Sequence, residues 1–247
     1  MKASKIEFRL RTAIMAVIIT LGFYVPWIGS RGLGPRFPLM MVLPLEVSRH
    51  GLLSFPAAMP MTIVLAALIA AKGVVFRVWG TAYLEPATMQ LGHMKADALI
   101  ASGPYRYVRN PLYIGLWAIT ASLAFLMPPA GALFVLIAVP VFLLRLTLGE
   151  EAYLSGELGQ PYQEYLRTVP RLIPRLRATL PPAVHQPQWL RAIVSELSPI
   201  GVFLAMAVFS WSYNFRLMEK VIVICFGISL VARAFVLGAG RPARAAE

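Results

Sequence analysis

Apolar residues along this chain fall in long blocks rather than in strict alternation. Six blocks stand out, at 13–28, 57–79, 112–127, 131–148, 197–211 and 221–237. A helix crosses the hydrocarbon core in about 20 predominantly apolar residues. The pattern therefore predicts six membrane-spanning helices, or five or seven if a half-span forms around 37–45. The third and fourth blocks are separated only by Pro128-Pro129-Ala130, a break that suits a tight helical hairpin. The fifth and sixth form a second pair. The first block follows Lys2, Lys5, Arg9 and Arg11, in the manner of a signal peptide. Tyr24, Pro26 and Trp27 at its far end read as an interfacial belt, so a retained span is expected.

Composition sharpens this picture. Of 247 residues, 58% are hydrophobic and 14% charged, against roughly 45–50% and about 25% in soluble domains. Mean hydropathy is +0.69. The fold class expected is an all-α integral membrane protein. Three regions are expected: 1–56, an N-terminal span with its connection; 57–178, a core; and 179–247, a C-terminal transmembrane hairpin. No internal repeat is visible.

Charge then orients the chain. With the N-terminus inside, the cytoplasmic segments hold fourteen Lys and Arg, and the outer segments hold five: Arg31, Arg36, Arg49, Arg216 and Lys220. Both termini and the long segments 80–110 and 150–195 are thus expected in the cytoplasm. A bacterial inner membrane is the expected location. The net charge of +12 is accounted for by this bias and by anionic lipid headgroups as partners. Nucleic acid is not expected, since no basic-aromatic module is present. Cys225 is the one cysteine, and His50, His93 and His185 are far apart. Neither a disulfide framework nor a metal site is expected.

Candidate chemistry is concentrated in the two cytoplasmic segments. Residues 89–113 read MQLGHMKADALIASGPYRYVRNPLY, with Gly-Pro and Asn-Pro pairs that rigidify the chain just before a membrane helix. Pro111 occupies a favourable first-turn position. Residues 145–174 read RLTLGEEAYLSGELGQPYQEYLRTVPRLIP. Glu150 and Glu151 stand at the end of an apolar helix, where a carboxylate needs a partner. Arg145, Arg106 and Arg109 are the candidates, and a structural ion pair competes with a ligand-holding role. Residues 167–180 alternate arginine with Leu, Ile and Val, a basic amphipathic pattern suited to anionic lipid. Arg77, followed by Trp79, is a second interior cation, for which snorkelling to the headgroups is the plain reading. Arg233 is a further cation that a lipid or Glu196 would satisfy.

Together the two segments resemble one family. Gly103-Pro104-Tyr105-Arg106-Tyr107-Val108-Arg109-Asn110-Pro111-Leu112-Tyr113 is similar to a G-P-Y-x-x-x-R-H-P-x-Y signature. Glu150-Glu151-x-x-Leu154, Gly159-x-x-Tyr162-x-x-Tyr165 and Val169-Pro170-x-x-x-Pro174 resemble its downstream partner. Both belong to the isoprenylcysteine carboxyl methyltransferase and phospholipid methyltransferase superfamily of membrane enzymes, and the resemblance spans roughly 60–175.

The resemblance implies a cytoplasmic-face pocket for S-adenosylmethionine, lined by Gln90, Asp97, Ala98, Leu99, Ile100, Tyr105, Asn110, Pro111, Leu112, Tyr113 and Glu150. It implies Glu150 and Arg145 as the residues closest to the chemistry, Arg145 on the side of a lipophilic methyl acceptor taken from the bilayer. An aromatic face suits a sulfonium, and a carboxylate suits ribose hydroxyls or an ammonium group. Gly32-x-Gly34 lacks the third glycine of a dinucleotide fingerprint, and no P-loop is present. The chain departs from the signature at Asn110, where the family usually has histidine. An amide cannot exchange a proton near neutral pH, which points to an acceptor that is already nucleophilic: a carboxylate, thiolate or free amine. An NADPH-dependent reductase of the sterol-reductase type and a non-enzymatic membrane scaffold are the competing readings.

Overall fold

A computed structural model describes residues 2–24, 37–84, 102–181 and 186–238. These residues form helices and connecting turns, with no strand among them. The N-terminus opens with α1 (Lys5–Arg9), capped reciprocally by Ser4 and Glu7. The Glu7 amide donates to Ser4 Oγ (3.2 Å) and the Ser4 amide to Glu7 Oε2 (2.6 Å), the two halves of a capping box. Helix α2 (Arg11–Tyr24) carries the described part of the first apolar block. Helix α3 (Leu39–Arg49) covers the segment flagged as a half-span.

Helix α4 (Phe55–Ala82) carries the second block, α5 (Pro111–Ala124) the third and α6 (Pro129–Leu158) the fourth. Both α5 and α6 begin with proline at N1, where the missing N–H has no intrahelical partner to lose. The turn between them also caps the start of α3. The Leu39 amide donates to the Met127 carbonyl (2.7 Å) and the Met40 amide to the Phe125 carbonyl (2.9 Å), so orphan groups of two helix ends satisfy each other. A short amphipathic helix, α7 (Gln160–Thr168), follows α6 after Gly159. Then come α8 (Trp189–Ser195), α9 (Leu197–Ser212) and α10 (Phe215–Gly238).

The described part of each of the six apolar blocks therefore falls mainly on a helix. Among the described residues, α4 and α6 are long and apolar enough to cross a membrane on their own, and α8 with α9, bent by 70° at Glu196, makes a third if the pair is one span. Helices α2 and α5 are apolar but shorter. At 1.5 Å per residue the 30 residues of α6 extend about 45 Å, well beyond the roughly 30 Å hydrocarbon core. Its apolar part ends at Leu148, so the turns carrying Glu150 to Leu158 project past the membrane core.

Two buried clusters hold the bundle. One joins α2, α5 and α6 through Met15, Ala124, Val135, Val139, Phe142 and Leu146; the other joins α3, α4, α9 and α10 through Met40, Ile63, Ala66, Met206, Phe209 and Met218. Where α4 crosses α5, a Cβ on Gly73 would lie 2.8 Å from the Gly115 carbonyl oxygen, and one on Gly115 would lie 2.7 Å from the Gly73 carbonyl oxygen. Only glycine at both positions permits this approach, the small-residue packing by which membrane helices gain contact.

Candidate functional site

The site is built where the projecting ends of α4, α5 and α6 meet the turns between them. Ser102 is extended, and Gly103 then takes φ +49°, starting the 3-10 turn Gly103–Arg106. A Cβ at Gly103 would sit 2.4 Å from Tyr83 Cδ2, so the turn lies directly against the tyrosine that ends α4. The turn buries Pro104 and Tyr105. Tyr165 of α7 donates its hydroxyl to the Tyr105 carbonyl (3.0 Å). Burial pushes the phenols of both Tyr105 and Tyr165 well above their ordinary range, so both stay protonated. Tyr107 packs on Trp79 of α4, their ring centroids 5.7 Å apart.

Main-chain bonds then lace this segment to the chain after α7. The Arg109 amide donates to the Pro170 carbonyl (2.9 Å), the Arg175 amide to that of Tyr107 (3.1 Å), and the Thr179 amide to that of Arg106 (3.1 Å). The two segments run in opposite directions. Side chains add to the lacing: Arg106 Nε donates to the Leu180 carbonyl (2.7 Å), and Asn110 Nδ2 to that of Arg171 (3.2 Å). At the position where histidine was expected, Asn110 thus acts as an amide donor to the backbone.

The adjacent glutamates have divergent surroundings. Glu151 is buried and receives two cations: Arg109 Nη1 at 3.0 Å and Arg171 Nη2 at 2.7 Å. Glu150 accepts the Tyr113 hydroxyl at 2.7 Å and forms no ion pair among the described residues. The cation expected for Glu150 thus belongs to its neighbour. Arg145 is likewise paired elsewhere. Five residues place it about 140° around α6 from Glu150, and it holds Glu7 of α1 through Nη2 (2.8 and 3.0 Å) and Nε (3.2 Å). The Arg145 carbonyl also accepts the Ala3 amide (3.0 Å).

Arg77 does not run to the headgroups. Its Nη2 donates to Glu196 Oε1 (3.0 Å), which also accepts the Thr81 hydroxyl (2.7 Å). Its Nη1 reaches the Leu112 carbonyl (3.5 Å). Glu196 is almost fully buried at the break between α8 and α9.

The structure therefore brings Tyr105, Asn110, Pro111, Leu112, Tyr113 and Glu150 into one region. Gln90, Asp97, Ala98, Leu99 and Ile100 lie outside the described residues. Glu7 and Arg171 are contributors that sequence reasoning did not assign, and Glu196, considered there for Arg233, instead holds Arg77. The signal for Glu7 was the Ser4-x-x-Glu7 capping box, and that for Glu196 was a lone acid among apolar residues.

Residues 61–160 match the phospholipid methyltransferase family. The matched segment holds the G-P-Y motif and the Glu150-Glu151 pair, through which the chain resembles the isoprenylcysteine and phospholipid methyltransferase superfamily. Over 82 residues the chain is 37% identical to the protein-S-isoprenylcysteine O-methyltransferase of Schizosaccharomyces pombe. That match covers 32% of this chain and 34% of the yeast protein, so the chain spans about a third of the relative's length. No solved structure matches. The superfamily segment contains the G-P-Y turn, α5, Tyr113, Glu150 and Glu151. The lacing strand after α7, Glu7 and Glu196 come from outside it.

The superfamily implies a methyl donor, and the residues present fit S-adenosylmethionine. Glu150 offers a carboxylate that forms no ion pair among the described residues. Three residues before it on the same helix, the fully buried Thr147 hydroxyl has no hydrogen-bond partner among the described residues. Carboxylate and hydroxyl are the groups that an ammonium and ribose hydroxyls require.

Proposed function

We propose that the protein is an integral membrane methyltransferase that carries a methyl group from S-adenosylmethionine to a lipophilic acceptor. The observation that supports this most directly is the Tyr113–Glu150 hydrogen bond. It joins the two motifs at the member of the Glu150-Glu151 pair that forms no ion pair among the described residues. In this reading Glu150 holds the donor's ammonium or ribose, and Tyr105, Asn110, Pro111, Leu112 and Tyr113 line the same pocket with Gln90 and the 97–100 run. When bound, the donor supplies a methyl group on a sulfonium, whose charge disperses as the methyl leaves.

The chain's part is to align and desolvate two reactants, an effect worth up to about 7–11 kcal/mol. Asn110 supplies no proton exchange, so the acceptor atom arrives already nucleophilic: an isoprenylcysteine-like carboxylate, or a lipid or small hydrophobic amine or thiol. Arg145 is the acceptor-side contact in this reading. Its guanidinium is held by Glu7, so a substrate carboxylate would take this bidentate position by displacing Glu7. The short apolar helices complete a six-span topology with both termini and the site in the cytoplasm.

The test is ligand-dependent unfolding of purified protein, with S-adenosylhomocysteine and NADPH in separate arms. A ligand at 100 times its dissociation constant that binds only the folded state adds about 2.7 kcal/mol. Stabilisation by the adenosyl ligand, lost in Glu150→Gln, supports the proposal. Stabilisation by NADPH alone, or by neither ligand, overturns it.

A further inference from the structure

The chain after α7 carries an arrangement that the methyl-transfer reading does not use. Residues 170–181 form no helix, yet they are held in place. Arg171 is tied to Glu151 by its side chain and to Asn110 through its carbonyl, Arg175 to Tyr107, and Thr179 to Arg106. Between these anchors, Leu172, Ile173, Pro174, Arg175, Leu176 and Arg177 all face outward. Ile173 is 81% exposed and Leu176 100% exposed. A frayed segment exposes apolar side chains at little consequence. A pinned segment that does so presents a fixed apolar surface to whatever lies against it.

Its depth can be read from α6. The apolar part of α6 ends at Leu148, so Glu151 lies about 4.5 Å further along the axis. Arg171, 2.7 Å from Glu151, therefore stands at headgroup level. Asn110, at the start of α5, holds the same residue from the other side.

Its charge is one-sided. No acidic residue occurs between Glu164 and Glu196, while Arg167, Arg171, Arg175, Arg177 and Arg191 fall inside that interval. Glu151 neutralises Arg171. Among the described residues no carboxylate pairs with Arg167, Arg175 or Arg177. Exposed branched apolar side chains interleaved with unpaired arginines, at headgroup depth, match an anionic bilayer surface.

We propose that residues 171–177 are a docking surface for anionic phospholipid, with Ile173 and Leu176 sunk to the acyl boundary and Arg175 and Arg177 on headgroup phosphates. The same loop is laced to residues 106–110.

The test places an environment-sensitive fluorophore on Leu176→Cys in a Cys225→Ala background, with Ile173→Cys as a second position. The labelled protein is reconstituted in nanodiscs of phosphatidylcholine alone or with 30% phosphatidylglycerol. Nitroxide lipids labelled near the glycerol report contact. The expected result is blue-shifted emission and nitroxide quenching that grow with phosphatidylglycerol. Arg175→Gln/Arg177→Gln should weaken seating roughly fivefold per arginine in the anionic discs, with unchanged thermal unfolding. Water-like emission without quenching at both positions overturns the proposal. Quenching equal in both discs and indifferent to the arginines overturns its anionic part, leaving simple apolar anchoring. The readout uses neither donor nor acceptor, so it succeeds or fails independently of methyl transfer.

Discussion

The neighbouring glutamates provide the sharpest test of how the site is divided between holding the fold and holding a ligand. In Glu151→Gln the side chain keeps its shape but loses its charge. Arg109, only 11% exposed at its side chain, is left uncompensated, and its Nε is already without a partner. Removing one member of a buried ion pair costs about 3–5 kcal/mol. Arg171, with a side chain 37% exposed, can rehydrate, which places this case near the lower end, at about 3 kcal/mol. For a chain of this size that is a fall in Tm of roughly 6–12 °C. Glu150→Gln differs in kind. Its amide oxygen still accepts the Tyr113 hydroxyl, so the loss to the fold is about 1 kcal/mol or less. What disappears is a charge-assisted contact to the ligand, worth about 1.5–3 kcal/mol, or roughly 10- to 100-fold in affinity for S-adenosylhomocysteine. Detergent-purified variants compared by thermal unfolding and by calorimetric titration give both numbers. A Glu151→Gln protein that melts like wild type, beside a Glu150→Gln protein with undiminished ligand affinity, would refute the division of labour.

Three further outcomes follow from the same geometry. Gly103→Ala has to adopt a left-handed conformation costing about 1–2 kcal/mol and to push its Cβ into the Tyr83 ring, so both Tm and ligand affinity should fall. An unchanged titration would show that the turn is not part of the site. Glu196→Leu should strand Arg77 and lower stability by about 3 kcal/mol, whereas Arg77→Met/Glu196→Leu should recover most of the loss, because replacing both partners by apolar groups is near neutral; a double variant no better than the single would contradict this. The Arg145 guanidinium, followed by the Ser4 backbone amide, holds the Glu7 carboxyl down at about 2. A lowered folded-state value means the contribution is present above the usual carboxylate range and is lost as pH falls toward 2. The clasp of α1 should therefore be indifferent to pH between 8 and 5, while Glu7→Gln should speed tryptic cleavage after Lys5 and Arg9 throughout the range where trypsin works.

Helix placement was legible because hydropathy is a local property. The blocks at 57–79 and 131–148 became α4 and α6, and Pro128-Pro129 marked the hairpin break. The G-P-Y and Glu-Glu motifs were legible as spacings. Pairing was not. Glu150 and Glu151 look alike in sequence, and only the lacing of the chain after α7 brings Arg171 to one of them. Arg145 read as a candidate partner for Glu150 because its actual partner lies on the first helix, 138 residues away. Arg77 read as a snorkelling side chain because Glu196 reaches it from a helix break, 119 residues on. The basic alternation at 167–180 suggested a continuous amphipathic segment. The helix ends at Thr168 instead, and Pro170 and Pro174, lacking amide donors, fit an irregular course beyond it.

The antiparallel lacing also has a consequence for biogenesis. Asn110 and Arg171 are 61 residues apart in the chain, and α5, α6 and α7 lie between them. A ribosome that has just completed α6 has made nearly all of the residues that the superfamily match covers, yet the strap that fixes the G-P-Y turn is still unsynthesised. Packing of the α5–α6 hairpin comes first and closure of the strap second, against the entropy of a loop that long. Competence to bind a cosubstrate should therefore appear late and abruptly along the nascent chain, once residue 180 has left the exit tunnel.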